Sequence, residues 1–178
     1  MSIAGDDLPV QVTHIPGITR VRYTNSTKQD VRLVTAGEDH LVRLLPSEPT
    51  ATDVIPLVME DATQNISWIE ANSKYLVTAS EDGTVCLYQH ALQSEDDPQK
   101  ATSCIRIVRR EVLPVRCVSL ERATESPRAA ICSDELIIRV ANVEDPRQIT
   151  LLTGHTRGVR AASWSPILPL LVSCGSDG

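Results

Sequence analysis

The sequence predicts an all-β fold, a β-propeller built from repeated blades of about four short strands. Three observations support this prediction. Short alternating apolar segments recur along the chain, no 11-residue window has convincing helical periodicity, and an acidic turn returns at a nearly regular interval. The chain is long enough for about three blades and two strands of a fourth, so we expect an incomplete ring of blades.

The acidic turn recurs in four related stretches, each with small residues before it and, where the chain continues, an apolar segment after it. They are LVTAGEDHLVRLL from residue 33, LVTASEDGTVCLY from 76, AAICSDELIIRVANV from 129 and LLVSCGSDG from 170. The last acidic residues, Asp39, Asp82, Glu135 and Asp177, follow one another at intervals of 43, 53 and 42 residues. Propeller blades have roughly 40–45 residues, so each turn is expected to join two strands of one blade.

The longer interval contains a polar, acidic stretch with a proline, residues 90–102, which we interpret as a loop insertion. We expect residues 1–13 to form an N-terminal extension and residues 14–178 to form the partial propeller. A β-branched alternating segment, predicted to be a strand, precedes each turn by about 20 residues. These segments are GITRVRYT (17–24), NISWIE (65–70), PVRCVSLE (114–121) and GVRAASWSP (158–166).

The composition is that of a globular protein, with 42% apolar and 22% charged residues. The net charge of −6 argues against binding DNA mainly through its phosphates. The five cysteines include no C-x-x-C pair, so we expect reduced cysteines packed as small apolar residues and no zinc site. No apolar run approaches 18 residues and the first residues do not resemble a signal peptide, so no membrane association is expected.

The acidic pairs at the turns could be catalytic carboxylates or hairpin residues. A hydrolase dyad needs two carboxylates that face one substrate, and adjacent residues of one turn do not converge in that way. Asp-Gly is a strong hairpin signal because the favoured turn needs positive φ, and recurrence once per blade fits a structural cause. No nucleophile motif or phosphate-binding glycine loop accompanies the pairs, so we expect no enzyme and no cofactor.

Two arginines, Arg116 and Arg160, occupy the same position in consecutive repeats, where the first repeat has Thr19. Together on one rim of a propeller they would suit an acidic partner segment or a phosphate. The alternative, which we favour, is that they pair with the acidic turns as a solvated surface.

The last unit, LLTGHTRGVRAASWSPILPLLVSCGSDG, resembles a WD40 repeat, with Gly154-His155 and a Ser-x-Asp-Gly turn. In that family a His, a Ser or Thr and an Asp form a structural hydrogen-bonded network with a Trp. The resemblance assigns His155, Ser173 and Asp177 to these roles. The other units depart from the pattern, since no Trp-Asp dipeptide ends any of them.

The order of motifs along residues 14–178 resembles the amino-terminal propeller of the fungal minichromosome-loss/SepB proteins. These are similar to the animal WD-repeat and HMG-box DNA-binding protein, a replisome adaptor. Most of this resemblance lies in Leu113-Pro114-Val115-Arg116 and Ser133-Asp134-Glu135-Leu136. The second propeller that trimerises in that family has no counterpart here, so we expect an incomplete chain.

The resemblance implies a nuclear, chromatin-associated protein scaffold for DNA replication and chromosome transmission, with the replicative helicase and DNA polymerase alpha as partners. Two alternatives remain open. One is a WD40 subunit of another nuclear or cytosolic complex, such as a ubiquitin ligase or a chromatin regulator. The other is direct DNA binding through the arginine-bearing face, which would show a steep salt dependence.

Overall fold

A computed structural model describes residues 16–24, 32–46, 57–72, 74–90, 102–121, 127–145 and 147–178 of the chain. Every regular element among these residues is a β-strand, and neighbouring strands of each sheet are antiparallel. The expected all-β class is therefore confirmed. The proposed extension over residues 1–13 and His14 lie outside the described residues.

The strands form three four-stranded sheets and one two-stranded sheet, each composed of strands consecutive in the sequence. We call them blades 1 to 4. Blade 1 contains β1 (Ile18–Tyr23), β2 (Arg32–Gly37), β3 (Val42–Pro46) and β4 (Leu57–Met59). Blade 2 contains β5 (Ile66–Ala71), β6 (Tyr75–Ser80), β7 (Thr84–His90) and β8 (Thr102–Arg110). Blade 3 contains β9 (Val115–Leu120), β10 (Arg128–Ser133), β11 (Ile138–Asn142) and β12 (Ile149–Leu152). Blade 4 contains β13 (Val159–Trp164) and β14 (Leu171–Gly175).

The first strand of each blade packs against the first strand of the next, so that β1, β5, β9 and β13 follow one another along the inner side of an arc. The predicted insertion falls between β7 and β8. Its end residues His90 and Thr102 pair with each other across these strands, and residues 91–101 lie outside the described part of the chain. The loop insertion between these paired residues therefore stays a prediction.

The core consists of three apolar clusters, one at each boundary between blades. Strand β6 contributes side chains to two of these clusters. Its side chains alternate between sheet faces, so Leu76 packs toward blade 1 and Val77 toward blade 3, and all six residues of β6 are buried. Small and branched residues suit this close stacking of sheets and make up for the low aromatic content.

The cysteines that the structure describes with side chains follow the same pattern with one exception. Cys86 is buried at the boundary between blades 1 and 2, and Cys117 and Cys132 at the boundary between blades 3 and 4, all with free thiols. Cys174 is exposed on β14.

Candidate functional site: the face of the acidic turns

The acidic turns connect the second and third strands of blades 1 to 3 and follow the second strand of blade 4, and they lie at one end of the sheets. In blade 2, β6 ends at Ser80 and β7 begins at Thr84, which leaves a loop of three residues, 81–83. The Gly83 amide donates to the Ser80 carbonyl, and within this loop only Gly83 has a positive φ, of 85°. The hairpin is therefore not the two-residue turn in which both central residues need positive φ. His40 takes the same place in blade 1 with a φ of 67°.

Asp82 ties its turn to the strand connection that enters the same blade. Its carboxylate accepts from the Thr63 amide at 2.7 Å, the Thr63 hydroxyl at 2.9 Å and the Thr84 amide at 2.7 Å. Partial burial would raise the pKa of Asp82, but these hydrogen bonds outweigh it and lower the pKa to about 2. Asp82 thus stabilises two loops and is fully occupied in doing so.

His155, Ser173 and Asp177 form a hydrogen-bonded chain in blade 4. The His155 Nδ1 lies 2.9 Å from Asp177 Oδ1, and its Nε2 lies 2.9 Å from the Ser173 hydroxyl. The Asp177 carboxylate also accepts from the Thr156 amide at 2.7 Å, as Asp82 does from the Thr63 amide. The hydrogen bond from His155, followed by that from Thr156, lowers the pKa of Asp177 to about 2. A Cβ atom at Gly175 would overlap this pair, which explains a glycine at the end of β14.

The acidic turn residues of blades 1 and 3 are held by an arginine four residues later. Asp39 accepts from Arg43 at 2.7 Å, and Glu135 accepts from Arg139 at 2.6 Å. Arg139 also lies 3.1 Å from Glu111, and the Glu111 side chain is only 2% exposed. Neither Glu111 nor Arg139 was singled out from the sequence, although their positions relative to the strands match those of residues in other blades. Glu111 precedes its inner strand by four residues, as His155 does, and Arg139 matches Arg43 in the third strand.

The second residue of every inner strand, Thr19, Ser67, Arg116 or Arg160, sits at a break in strand register. Such a bulge turns the side chain out of the regular alternation. The Thr19 hydroxyl donates to the Ile66 carbonyl of blade 2 at 2.7 Å, and the Ser67 hydroxyl donates to the Val115 carbonyl of blade 3 at 2.6 Å. These hydroxyls therefore join neighbouring blades.

Arg116 and Arg160 occupy the same bulge position and meet at one carboxylate, that of Asp134. Arg116 donates to it from Nη2 at 2.6 Å and to Glu81 at 3.1 Å, while Arg160 reaches it at 3.2 Å and also donates to the Ser176 hydroxyl. The hydrogen bond from Arg116 lowers the pKa of Asp134. The two arginines lie together on one rim, paired with acidic turns as in the second interpretation above. Arg160 is 57% exposed and so keeps donors for a partner.

The described residues that could take part in catalysis or bind a metal do not form a common site. His40 is partly buried, and its Nδ1 has no hydrogen-bond partner among the described residues. The side chain of His90 lies outside the described part of the chain. Within that part no group of three His, Cys, Asp or Glu residues could hold a metal ion, and none of its elements is a helix long and apolar enough to cross a membrane.

Replacing Asp82 with alanine is expected to lower the free energy of unfolding by about 2 kcal/mol, because three donors lose a charged acceptor. The folded pKa of about 2 lies below the ordinary 3.8, so the contribution is complete above pH 3.8 and is lost as the pH falls through 2. Urea unfolding of both proteins between neutral pH and pH 2 measures this, and the two free energies should converge at the acid end. Glu38→Ala, an exposed turn acid in blade 1, is the control and should change little. Equal stability of Asp82→Ala and the parent at neutral pH would contradict the expectation.

Comparison with known protein sequences gives one family match and two similar proteins. The family model "WD domain, G-beta repeat" matches residues 61–89 and 146–178, which contain the hairpin of blade 2 and the whole of blade 4. The chain is 29% identical over 164 residues to Minichromosome loss protein 1 of Schizosaccharomyces pombe, covering 92% of this chain and 18% of that protein. It is also 29% identical over 77 residues to Peroxisome biogenesis protein 7 of Arabidopsis thaliana, covering 43% of this chain and 24% of that protein.

Among solved structures, the WD40 β-propeller domain of Doa1 superposes with a TM-score of 0.70 at 13% identity, covering 93% of this chain and 50% of that one. At this identity the likeness concerns the fold alone. The chain thus spans half of that domain structure and less than a fifth of the first curated relative.

Proposed function

We propose that this chain, which carries WD40 repeats and folds as three blades and half of a fourth of a WD40-type β-propeller, is a protein-interaction scaffold that acts in DNA replication and chromosome transmission. The observation that carries the proposal is the similarity to Minichromosome loss protein 1 over 92% of the chain. The match to Peroxisome biogenesis protein 7 covers less than half of the chain and so gives less support to a peroxisomal role.

The chemistry of the turn face supports a scaffold. Asp82 and Asp177 accept backbone amides, and Asp39 and Glu135 are paired with arginines, so all four carboxylates are committed to holding loops. A rigid set of loops at one end of stacked blades is suited to presenting side chains to a partner. The proposal therefore places partner binding on this face, with Arg160 as the more available of the two candidate arginines.

Direct DNA binding is less well supported by the same face. Three arginines of this face, Arg116, Arg139 and Arg160, each contact at least one carboxylate, which reduces the positive potential toward a phosphate backbone. The acidic net charge of −6 acts in the same direction. A nuclear location, association with chromatin, and partnership with DNA polymerase alpha and the replicative helicase complete the proposal, as the replisome-adaptor resemblance implies.

Affinity purification of the tagged protein from nuclei of replicating cells tests this function. Subunits of DNA polymerase alpha or of the replicative helicase should be enriched during DNA synthesis, relative to the same preparation from arrested cells. Nuclease treatment should leave this enrichment unchanged, because protein contacts carry it. Consistent recovery of ubiquitin-ligase or peroxisomal proteins in place of replication proteins would overturn the proposal.

A further inference from the structure

A groove lies between blades 3 and 4 on the face of the acidic turns. It is formed by the connection before β9, the turn between β10 and β11, and the connection between β12 and β13. Its volume of about 580 Å³ lies within the roughly 300–1,000 Å³ of known ligand sites. Besides two carboxylates, the residues that line it are Leu113, Leu136, Ile137, Thr153, Gly154 and His155.

The walls of the groove expose apolar side chains that nothing in the described part of the chain covers. Leu136 is 48% exposed and Leu113 is 39% exposed, and the neighbouring Val112 is almost fully exposed. A Cβ atom at Gly154 would meet no atom within 4 Å, so the blade 4 wall is open at that point. Exposed apolar side chains around a concavity are typical of binding sites.

The groove is lined by two carboxylates, and the arginine beside it is more exposed than either. Its two carboxylates, Asp134 and Glu135, are 29% and 23% exposed, and each accepts hydrogen bonds from an arginine. Arg160 beside them is 57% exposed. Arg157 follows His155 by two residues and is exposed. The exposed charged donors at this border therefore belong to arginines.

We propose that this groove binds a short acidic segment of a partner protein, with one leucine or isoleucine side chain inserted between Leu113 and Leu136. A carboxylate next to the inserted side chain then contacts Arg157 or Arg160. This inference rests on the scaffold function proposed above and specifies the partner chemistry at one site. The apolar contact contributes affinity, and the arginines select against basic segments.

Fluorescence anisotropy of the 178-residue chain with labelled synthetic peptides tests the groove. The probe is a short peptide with a single leucine between aspartate and glutamate residues. Three comparison peptides replace the leucine by serine, the acids by their amides, or the acids by lysines. The acidic leucine peptide should bind, each neutralised or leucine-free peptide should bind about tenfold or more weakly, and the basic peptide should not bind.

Variants of the chain locate the binding. Leu136→Ser should weaken binding of the acidic leucine peptide about tenfold, whereas Leu168→Ser, at a similarly exposed leucine on another loop, should not. Arg157→Ser should weaken it severalfold, with a difference that shrinks as salt is added, and Arg147→Ser is the exposed control. Circular dichroism and urea unfolding establish that each variant is folded.

The proposal is overturned if the peptide shows no binding up to about 1 mM, if the leucine-free or basic peptide binds equally well, or if Leu136→Ser has no effect. The nuclear purification separates this outcome from failure of the scaffold function. Replication proteins recovered equally by Leu136→Ser would leave the scaffold standing and overturn the groove. Peptide binding sensitive to Leu136→Ser, without recovery of replication proteins, would support the groove and overturn the replication role.

Discussion

Replacing Gly83 with alanine is expected to lower the free energy of unfolding by about 3 kcal/mol or more. At a φ of 85° a Cβ atom is strained, which alone costs about 1–2 kcal/mol. The new methyl group would also overlap the carbonyl oxygen of Glu111, whose amide donates to the Gly83 carbonyl at 2.8 Å. The turn and the end of blade 2 must then separate. Urea unfolding followed by circular dichroism measures the loss.

Two further variants separate backbone strain from general sensitivity of the turns. His40 occupies the position of Gly83 in blade 1 with a positive φ, so His40→Gly should stabilise the protein slightly or leave it unchanged. Gly17→Ala, at a glycine without positive φ whose Cβ would meet only Glu38 at 4.0 Å, should be near neutral. A Gly83→Ala protein as stable as the parent would show that the turn does not approach Glu111 as described.

Replacing Arg139 with methionine is expected to destabilise the protein by about 3 kcal/mol, because it removes a cation that pairs with a buried carboxylate. Arg139 joins Glu111, 2% exposed, to Glu135 at distances of 3.1 and 2.6 Å. Methionine keeps most of the side-chain volume, so the decrease in the free energy of unfolding reflects the missing charge and not a cavity. Chemical unfolding at neutral pH gives the difference.

The double variant Arg139→Met, Glu111→Gln provides the matched control. Removing the buried charge together with its partner should restore about 1–2 kcal/mol relative to Arg139→Met alone. Arg147→Met, at an exposed arginine near β12, should change stability by less than about 0.5 kcal/mol. Strictly additive effects of the two substitutions would show that Glu111 and Arg139 are not coupled.

Much of the fold could be predicted from the sequence because each blade repeats the same pattern of strands and turns. The segments beginning at Gly17, Asn65, Pro114 and Gly158 became the inner strands, since β-branched alternation favours a strand whatever its partner. The position of Asp82 before Gly83 predicted a hairpin correctly. The number of residues in its loop was harder to predict, since Asp-Gly occurs in loops of two and of three residues.

The candidate site was less predictable, because equivalent positions use different chemistry. The resemblance to a WD40 repeat pointed to His155, Ser173 and Asp177, and His155 lies within hydrogen-bonding distance of both Ser173 and Asp177. Blade 3 has Glu111 in the place of His155, paired with Arg139 from the third strand, and a motif written around histidine includes neither. The groove was also not foreseen, since its walls come from three connections that only the packing of blades 3 and 4 brings together.

The inner-strand bulges make the boundaries of the arc chemically unequal. Thr19 and Ser67 join blades through hydroxyl-to-carbonyl hydrogen bonds, whereas Arg116 and Arg160 meet across the boundary of blades 3 and 4 at the carboxylate of Asp134. Ionic strength has little effect on the first kind of contact and weakens the second. Blades 2 and 3 also share an ion pair, Arg116 with Glu81, but the Ser67 hydrogen bond accompanies it. Among these bulge contacts only those between blades 3 and 4 are wholly ionic, so the setting of blade 4 is expected to respond most to the ionic medium.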